Sequence, residues 1–214
     1  MISPMKLLRI EQTASQVGRV RLVFEDGSKL MVYPSVVADL CLYPGKEVTD
    51  MEQLHEAIGT ASAKNRAVRI ISASDVSKRD LQRRLIAKGE TPEHAKDAVQ
   101  WLDNMALLDD ERTARHIVSQ GVRKGYGRAR IRQMLYEKQI PREIWDEVLE
   151  DVPDMSDAID DFIQRRLGRG TVDEKAVKKT VDALLRRGHR YSEIKAALER
   201  FESSIDEILE DESL

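Results

Sequence analysis

Four histidines, one cysteine and an acidic triplet are the side chains with the widest chemical reach in this 214-residue chain. His55, His94, His116 and His189 fall one to a segment, without a His-x-x-x-His pair or cysteine partners, so they do not make a zinc ligand set. Each reads as a packing or surface histidine. Cys41 lies between Leu40 and Leu42 with no basic group fixed beside it, and reads as a buried thiol rather than a nucleophile. Gly121, Gly125 and Gly127 lack both the lysine that closes a phosphate loop and the strand that precedes one. Asp109-Asp110-Glu111 follows Leu107-Leu108 and reads as a helix start, Asp110 and Glu111 capping it where negative charge suits the dipole. None of these patterns points to an enzyme, so no catalytic residue, metal ligand or cofactor is expected.

Charge placement says more. From Arg112 to Arg142, nine basic residues accompany one acid, Glu137, a local +8 in a chain whose formal net is −3. The densest members are Arg123, Lys124, Arg128, Arg130 and Arg132, with Arg115 before them. A second group is Lys78, Arg79, Arg83, Arg84 and Lys88. A third is Arg165, Arg166 and Arg169, followed by further cations from Lys175 to Arg190. Acids gather elsewhere, as in Glu143, Asp146, Glu147, Glu150 and Asp151. Segregation of this kind suits a groove that attracts phosphate backbones without reading sequence. It suits an acidic protein surface equally well. Aromatic residues are too sparse for a base-stacking platform.

The elements that must carry these charges are of two kinds. Arg19 to Phe24 alternates polar and apolar, Asp26-Gly27 signals a hairpin, and Lys29 to Tyr33 resumes as a strand; Lys6 to Glu11 offers a third. Pro34 opens a short helical stretch, and Thr49 to Ile58 reads as a helix with a capping box beginning at Thr49. Beyond Ala63 nearly everything has helical spacing. Three stretches end an apolar-rich helix in a basic residue and then a breaker: Leu81-x-x-x-Leu85-x-x-Lys88-Gly89, Ile131-x-x-x-Leu135-x-x-Lys138-Gln139 and Val181-x-x-Leu184-x-x-Arg187-Gly188. Their spacings are 50 and 49 residues. A further helix starts after each, at Thr91-Pro92, Ile140-Pro141 and Tyr191-Ser192, and one precedes each, near 65–74, 111–122 and 155–166.

The expected fold is therefore mainly α, with tandem three-helix repeats behind a small β-rich module. The boundaries read as 1–62 for the β-rich module, 63–110, 111–153 and 154–201 for the repeats, and 202–214 for an acidic tail expected to fray. Short helices of this length need neighbours to persist, and stacked repeats supply them. The lone cysteine excludes an internal disulfide, and no apolar run is long enough for a membrane span or a signal peptide. A cytoplasmic monomer without membrane contact is expected.

Three strings carry a family likeness. Ser77-x-x-x-Leu81-x-x-x-Leu85-x-x-Lys88-Gly89, then Leu107-Leu108-Asp109-Asp110-Glu111-Arg112-Thr113-Ala114, then Arg128-x-Arg130-Ile131-Arg132-x-x-Leu135 resemble the RecX family of bacterial recombination regulators. The likeness covers roughly residues 65 to 200, and the N-terminal module loosely. It implies tandem three-helix repeats and no enzymatic activity. It also implies binding to the RecA recombinase filament on DNA, with inhibition of its ATPase and strand exchange. Thr113 stands where the family has an aromatic residue, and Arg128 where it has proline.

The partner-facing residues expected from charge and likeness together are Lys78, Arg79, Arg83, Arg84, Arg115, Arg123, Lys124, Arg128, Arg130, Arg132, Arg165, Arg166 and Arg169. Those around Gly125-Tyr126-Gly127 are the densest, and the glycines would let that turn approach a partner backbone. Their alternative occupation is pairing with Glu143, Asp146, Glu147 and Glu150. The alternative function is sequence-neutral DNA binding, single- or double-stranded, with no filament partner.

Overall fold

The computed structural model describes residues 4–13, 18–168 and 173–211, the last eight by backbone alone. The chain divides into two compact units, Met1–Leu108 and Asp109–Leu214.

The first unit begins with a four-stranded antiparallel sheet of β1 (Met5–Gln12), β2 (Val20–Phe24), β3 (Lys29–Val32) and β4 (Glu47–Val48), in the order β3-β2-β1-β4. The hairpin closes at Asp26-Gly27, where Asp26 accepts the Ser28 N–H and Gly27 adopts φ +83°. The short strand β4 has no strong sequence signal. Leu7, Leu22, Phe24 and Val32 bury one sheet face against Val36 of α1 (Pro34–Asp39) and Met51 and Leu54 of α2 (Met51–Ala73). Cys41 is exposed, contrary to the sequence expectation. It takes a left-handed φ of 47° just beyond α1, and the chain reversal turns Leu42 inward instead.

Helix α2 is one element of 23 residues, where two helices were expected. Its N-cap is Asp50, whose carboxylate accepts the Gln53 N–H, not Thr49. Gly59 lies mid-helix beneath the His94 ring: a Cβ there would sit 2.1 Å from His94 Cε1. The glycine marks a close approach, not a helix end. Leu54 and Ala61 belong to the sheet's core, whereas Ala63, Ala67 and Ile70 pack with α3 (Lys78–Ala87) and α4 (Pro92–Asn104). One helix thus serves two cores.

The second unit holds α5 (Asp110–Arg123), α6 (Arg128–Glu137), a 3-10 turn (Arg142–Ile144) running into α7 (Trp145–Glu150), then α8 (Ser156–Leu167), α9 (Glu174–Arg186) and α10 (Tyr191–Asp211). Ile131, Leu135 and Val148 centre one core; Ile159, Ile163, Leu184 and Ile194 centre the next. In the third repeat Thr180 and Leu184 take the buried places, with Val181 only partly covered; the Thr180 hydroxyl donates to the Ala176 carbonyl. Helix α10 continues through Asp211, beyond the point where a frayed tail was expected.

The middle helices end alike. Gly89, Gln139 and Gly188 all occupy the left-handed region, with φ of 94°, 55° and 85°. The next N–H in each case, of Glu90, Ile140 and His189, reaches back to the carbonyl of Leu85, Leu135 and Leu184. This is the same Schellman closure three times, and it is why the basic residue and the breaker recur together.

Candidate partner-binding surface

The cations of the first repeat surround a buried acid. Ser77 caps α3 by accepting the Asp80 N–H at 3.1 Å. Asp80 itself is fully buried, and its carboxylate meets Arg83 at 2.5 Å and Arg84 at 2.8 Å. Arg84 also donates to the Ser74 hydroxyl at 3.3 Å. Lys78 pairs with Asp103 at 2.7 Å, and Arg79 is exposed. Three of the four expected residues on this helix therefore have charged partners in their own repeat.

The second repeat distributes its cations differently. Asp109 caps α5 by accepting the Arg112 N–H, which leaves Asp110 and Glu111 as first-turn acids one place beyond the expected cap. The Thr113 hydroxyl donates to the Asp109 carbonyl at 2.8 Å, so this buried threonine is satisfied within its own turn. Arg115 contacts Glu111, Glu147 and Asp151 at 2.9, 2.6 and 2.8 Å. The hydrogen bonds it donates to the carboxylates, Glu111 foremost, raise its pKa above the ordinary arginine value.

Arg130 pairs with Glu137 at 3.1 Å, and Arg132 with the exposed Asp146 at a loose 3.6 Å. Arg128 donates to the Leu149 carbonyl at 2.9 Å, which satisfies one nitrogen without neutralising the charge. Arg123 and Lys124 are exposed and meet no carboxylate among the described residues. Of the four acids offered as alternative partners for the residues around the glycine turn, only Asp146 touches one of them.

The Gly125-Tyr126-Gly127 turn does approach a backbone closely, but that backbone is the chain's own third repeat. The Gly127 N–H donates to the Arg187 carbonyl at 2.9 Å, and the Ala129 N–H to the Gly188 carbonyl at 3.3 Å. A Cβ on Gly127 would lie 2.2 Å from the Gly188 oxygen, and one on Gly188 would lie 2.2 Å from the Arg130 nitrogen. Arg187 seals the turn by lying over Tyr126 and Phe162 and donating to the Lys124 carbonyl. Beside this clasp Arg128, Arg132 and Arg190 line an open cleft with Asp154 and Glu193.

His189 completes the clasp as a packing residue, in line with expectation. Its Nε2–H donates to the Gly125 carbonyl at 3.1 Å, so Nδ1 is the bare acceptor, and that atom is buried without a partner. Burial pushes the imidazole pKa below 6.5. His94 donates to Glu56 at 3.0 Å, and His55 to the Met51 carbonyl at 2.7 Å.

In the third repeat Arg165 donates to the Asp161 carbonyl and Arg166 lies over Phe162. Arg169 lies outside the described residues. Among the described residues no three His, Cys, Asp or Glu side chains converge as a metal ion would require, and no helix is long and apolar enough to cross a membrane. Sequence reading passed over Arg19, Arg66 and Arg69, which share a cleft with Arg84 and Lys88 in the first unit. The three-residue spacing of Arg66 and Arg69 on one helix was the available signal.

A small antiparallel sheet followed by three-helix repeats with a common Schellman ending defines a helical-repeat protein. The model for "RecX, second three-helix domain" matches residues 109–149, the stretch from the Asp109 cap to α7. Regulatory protein RecX of Cronobacter sakazakii is 37% identical over 153 residues, covering 64% of this chain and 91% of that protein. The Vibrio campbellii protein of the same name is 30% identical over 141 residues, covering 65% and 91%. A crystal structure of regulatory protein RecX has the same fold, with a TM-score of 0.63 at 21% identity over 91% of this chain and 99% of that one. RecX from Lactobacillus salivarius matches with a TM-score of 0.55 at 16% identity, over 67% and 97%. The chain belongs to the RecX family of regulatory proteins.

Proposed function

We propose that this protein binds the RecA filament on DNA and lowers its ATPase and strand-exchange activity, with Arg123, Lys124, Arg128 and Arg132 as the main contacts. Membership of the family supports a regulatory role, and RecA is the partner that the resemblance implies. The observation that carries the choice of residues is their charge: Arg123, Lys124 and Arg128 have no carboxylate partner among the described residues, and Arg132 has only a loose, exposed one. Arginine offers a planar fork suited to phosphate or carboxylate, so a fork without a carboxylate partner is an available one. Arg115, Arg83 and Arg84 are poorer contacts because their forks are already engaged.

Arg128→Glu combined with Arg132→Glu tests this reading. The double variant should fold normally yet lose at least tenfold in inhibition of RecA ATP hydrolysis on single-stranded DNA. A folded variant that inhibits as well as the parent at the same salt removes these residues from the site. If bare-DNA binding falls as far as filament binding, DNA phosphates are the contact; if only filament binding falls, acidic RecA surface is.

A further inference from the structure

A second concentration of positive charge lies in the first unit, where Arg84 and Lys88 of the basic stretch 78–88 meet three arginines distant in sequence. Arg19 beside β2, Arg66 and Arg69 on α2, and Arg84 and Lys88 at the end of α3 line one cleft of about 440 Å3, with Tyr33 and Ser74 between them. No acid is among its lining residues. Two of the cations are anchored from behind. Arg84 is held by the fully buried Asp80, and Arg66 by Glu90 at 2.8 Å, whose side chain is 7% exposed. Ser62 donates to the same Glu90 oxygen. Arg19 is fixed another way: it lies 4.8 Å over the Tyr33 ring and donates to the Tyr33 hydroxyl at 3.1 Å. Arg69 and Lys88 are exposed and meet no carboxylate among the described residues.

Two helix C-termini reach this cleft, those of α2 and α3, and cations there would complement the dipoles. That need is already met. Arg66 donates to the Lys88 carbonyl at the end of α3, and Arg84 to Ser74 at the end of α2. Arg19, Arg69 and Lys88 are in excess of it. Three cations without a carboxylate partner among the described residues line one concavity, and a bound anion relieves their mutual repulsion.

We infer that this cleft binds the phosphodiester backbone of a nucleic-acid strand. The cations come from three separate parts of the unit, the residue before β2, one face of α2 and the end of α3, which suits a series of phosphates better than a single phosphate group. Tyr33 is already covered by Arg19, so no open ring is offered to a base, and recognition is sequence-neutral. Buried carboxylates hold two guanidinium groups in place before the strand arrives, which lowers the ordering cost of binding. The inference does not rest on the RecA reading, because a naked strand is a sufficient ligand.

Arg69→Glu with Lys88→Glu in the full chain provides the test, since neither side chain has a partner whose loss would unfold the protein. Anisotropy of a labelled 20-nucleotide oligo-dT, without RecA, should show at least tenfold weaker binding. The logarithmic salt slope should be shallower by about 1.4, that is, roughly 0.7 for each of two lost phosphates. The oligonucleotide should also shield Lys88, but not Lys46, from chemical acetylation. Unchanged affinity and slope in a folded variant overturn the inference, as does saturable binding of pyrophosphate or ATP at the cleft tighter than that of the strand.

Failure of the two readings is separable. If this variant binds the strand as the parent does while Arg128→Glu/Arg132→Glu loses RecA inhibition, the cleft inference fails alone. If strand binding is lost here and neither double variant affects RecA, the filament reading fails and the cleft stands.

Discussion

Helices α3 and α6 hold the same place in successive repeats, yet their first turns are closed from different directions. In α3 the closure is internal: Ser77 caps, and the buried Asp80 collects Arg83 and Arg84. In α6 the cap residue is Gly127, which offers no side chain, and the place matching Asp80 is held by Arg130. Its first turn is completed by the carbonyls of Arg187 and Gly188 in the following repeat. The first helix start is stable on the strength of its own repeat, whereas the second depends on a neighbour. A local cap tolerates changes elsewhere in the chain. A backbone clasp couples two repeats and requires small residues on both sides. The same difference sets the availability of charge, because a buried carboxylate engages arginines that an interface of carbonyls leaves charged.

The largest expected effect comes from adding one methyl group on each side of that comparison. Gly89 and Gly188 share a positive φ, but a Cβ on Gly89 meets nothing within 4 Å. Gly89→Ala should cost about 1–2 kcal/mol from the left-handed conformation alone. Gly188→Ala should cost that plus about 1–3 kcal/mol for the collision with Arg130 backbone. Urea midpoints of the two variants measure the difference, and equal losses would show that the clasp yields freely.

Next in size is the exchange of local closure for distant closure. Asp80→Ala removes a buried carboxylate that accepts a hydrogen bond from Arg83 and forms an ion pair with Arg84, and should destabilise by about 1–3 kcal/mol. Arg130→Gln removes only an exposed pair with Glu137 and should change stability by less than about 1 kcal/mol. Thermal melts of the two variants decide it; a larger loss at Arg130 than at Asp80 would reverse the assignment.

The smallest effect is a pH dependence confined to the clasp. His189 has a folded-state pKa below its unfolded value of about 6.5 because burial penalises the cation. The unfolded chain therefore binds the proton more readily, so the stabilising contribution is complete above pH 6.5 and is lost as pH falls through the folded-state pKa. The corresponding place in the first repeat is Glu90, which is paired with Arg66. Stability measured from pH 7.5 to 5 should fall less steeply in His189→Gln than in the parent. Parallel curves would show that His189 does not titrate with folding.

The sequence alone determined the periodicity and turns that depend on near neighbours along the chain, though it placed the caps of α2 and α5 one residue off. Alternation in Arg19–Phe24 with Asp26-Gly27 makes a hairpin, and Leu81 with Leu85 or Ile131 with Leu135 makes an apolar helix face. The basic residue before each breaker marks a Schellman ending, which fixes the three-helix period because the same hydrogen bonds close each middle helix. Tertiary structure decided what distant neighbours control. The helix read as ending at Ile58 runs on through Gly59, where the His94 ring lies against the backbone, so α2 is continuous. Cys41 reads as buried from its leucine neighbours until a left-handed turn sends it outward. Gly127 reads as an opening toward a partner until Gly188 fills the space. Arginines look equivalent in a charge count and differ entirely in their partners: three carboxylates for Arg115, a carbonyl for Arg128, none for Arg69 among the described residues. Periodicity and capping are set within a few residues, by bond geometry that composition reveals. Many partners of a charge, and the filler of a glycine's vacant space, lie 22 to 63 places away, and only the folded chain brings them within a few ångströms.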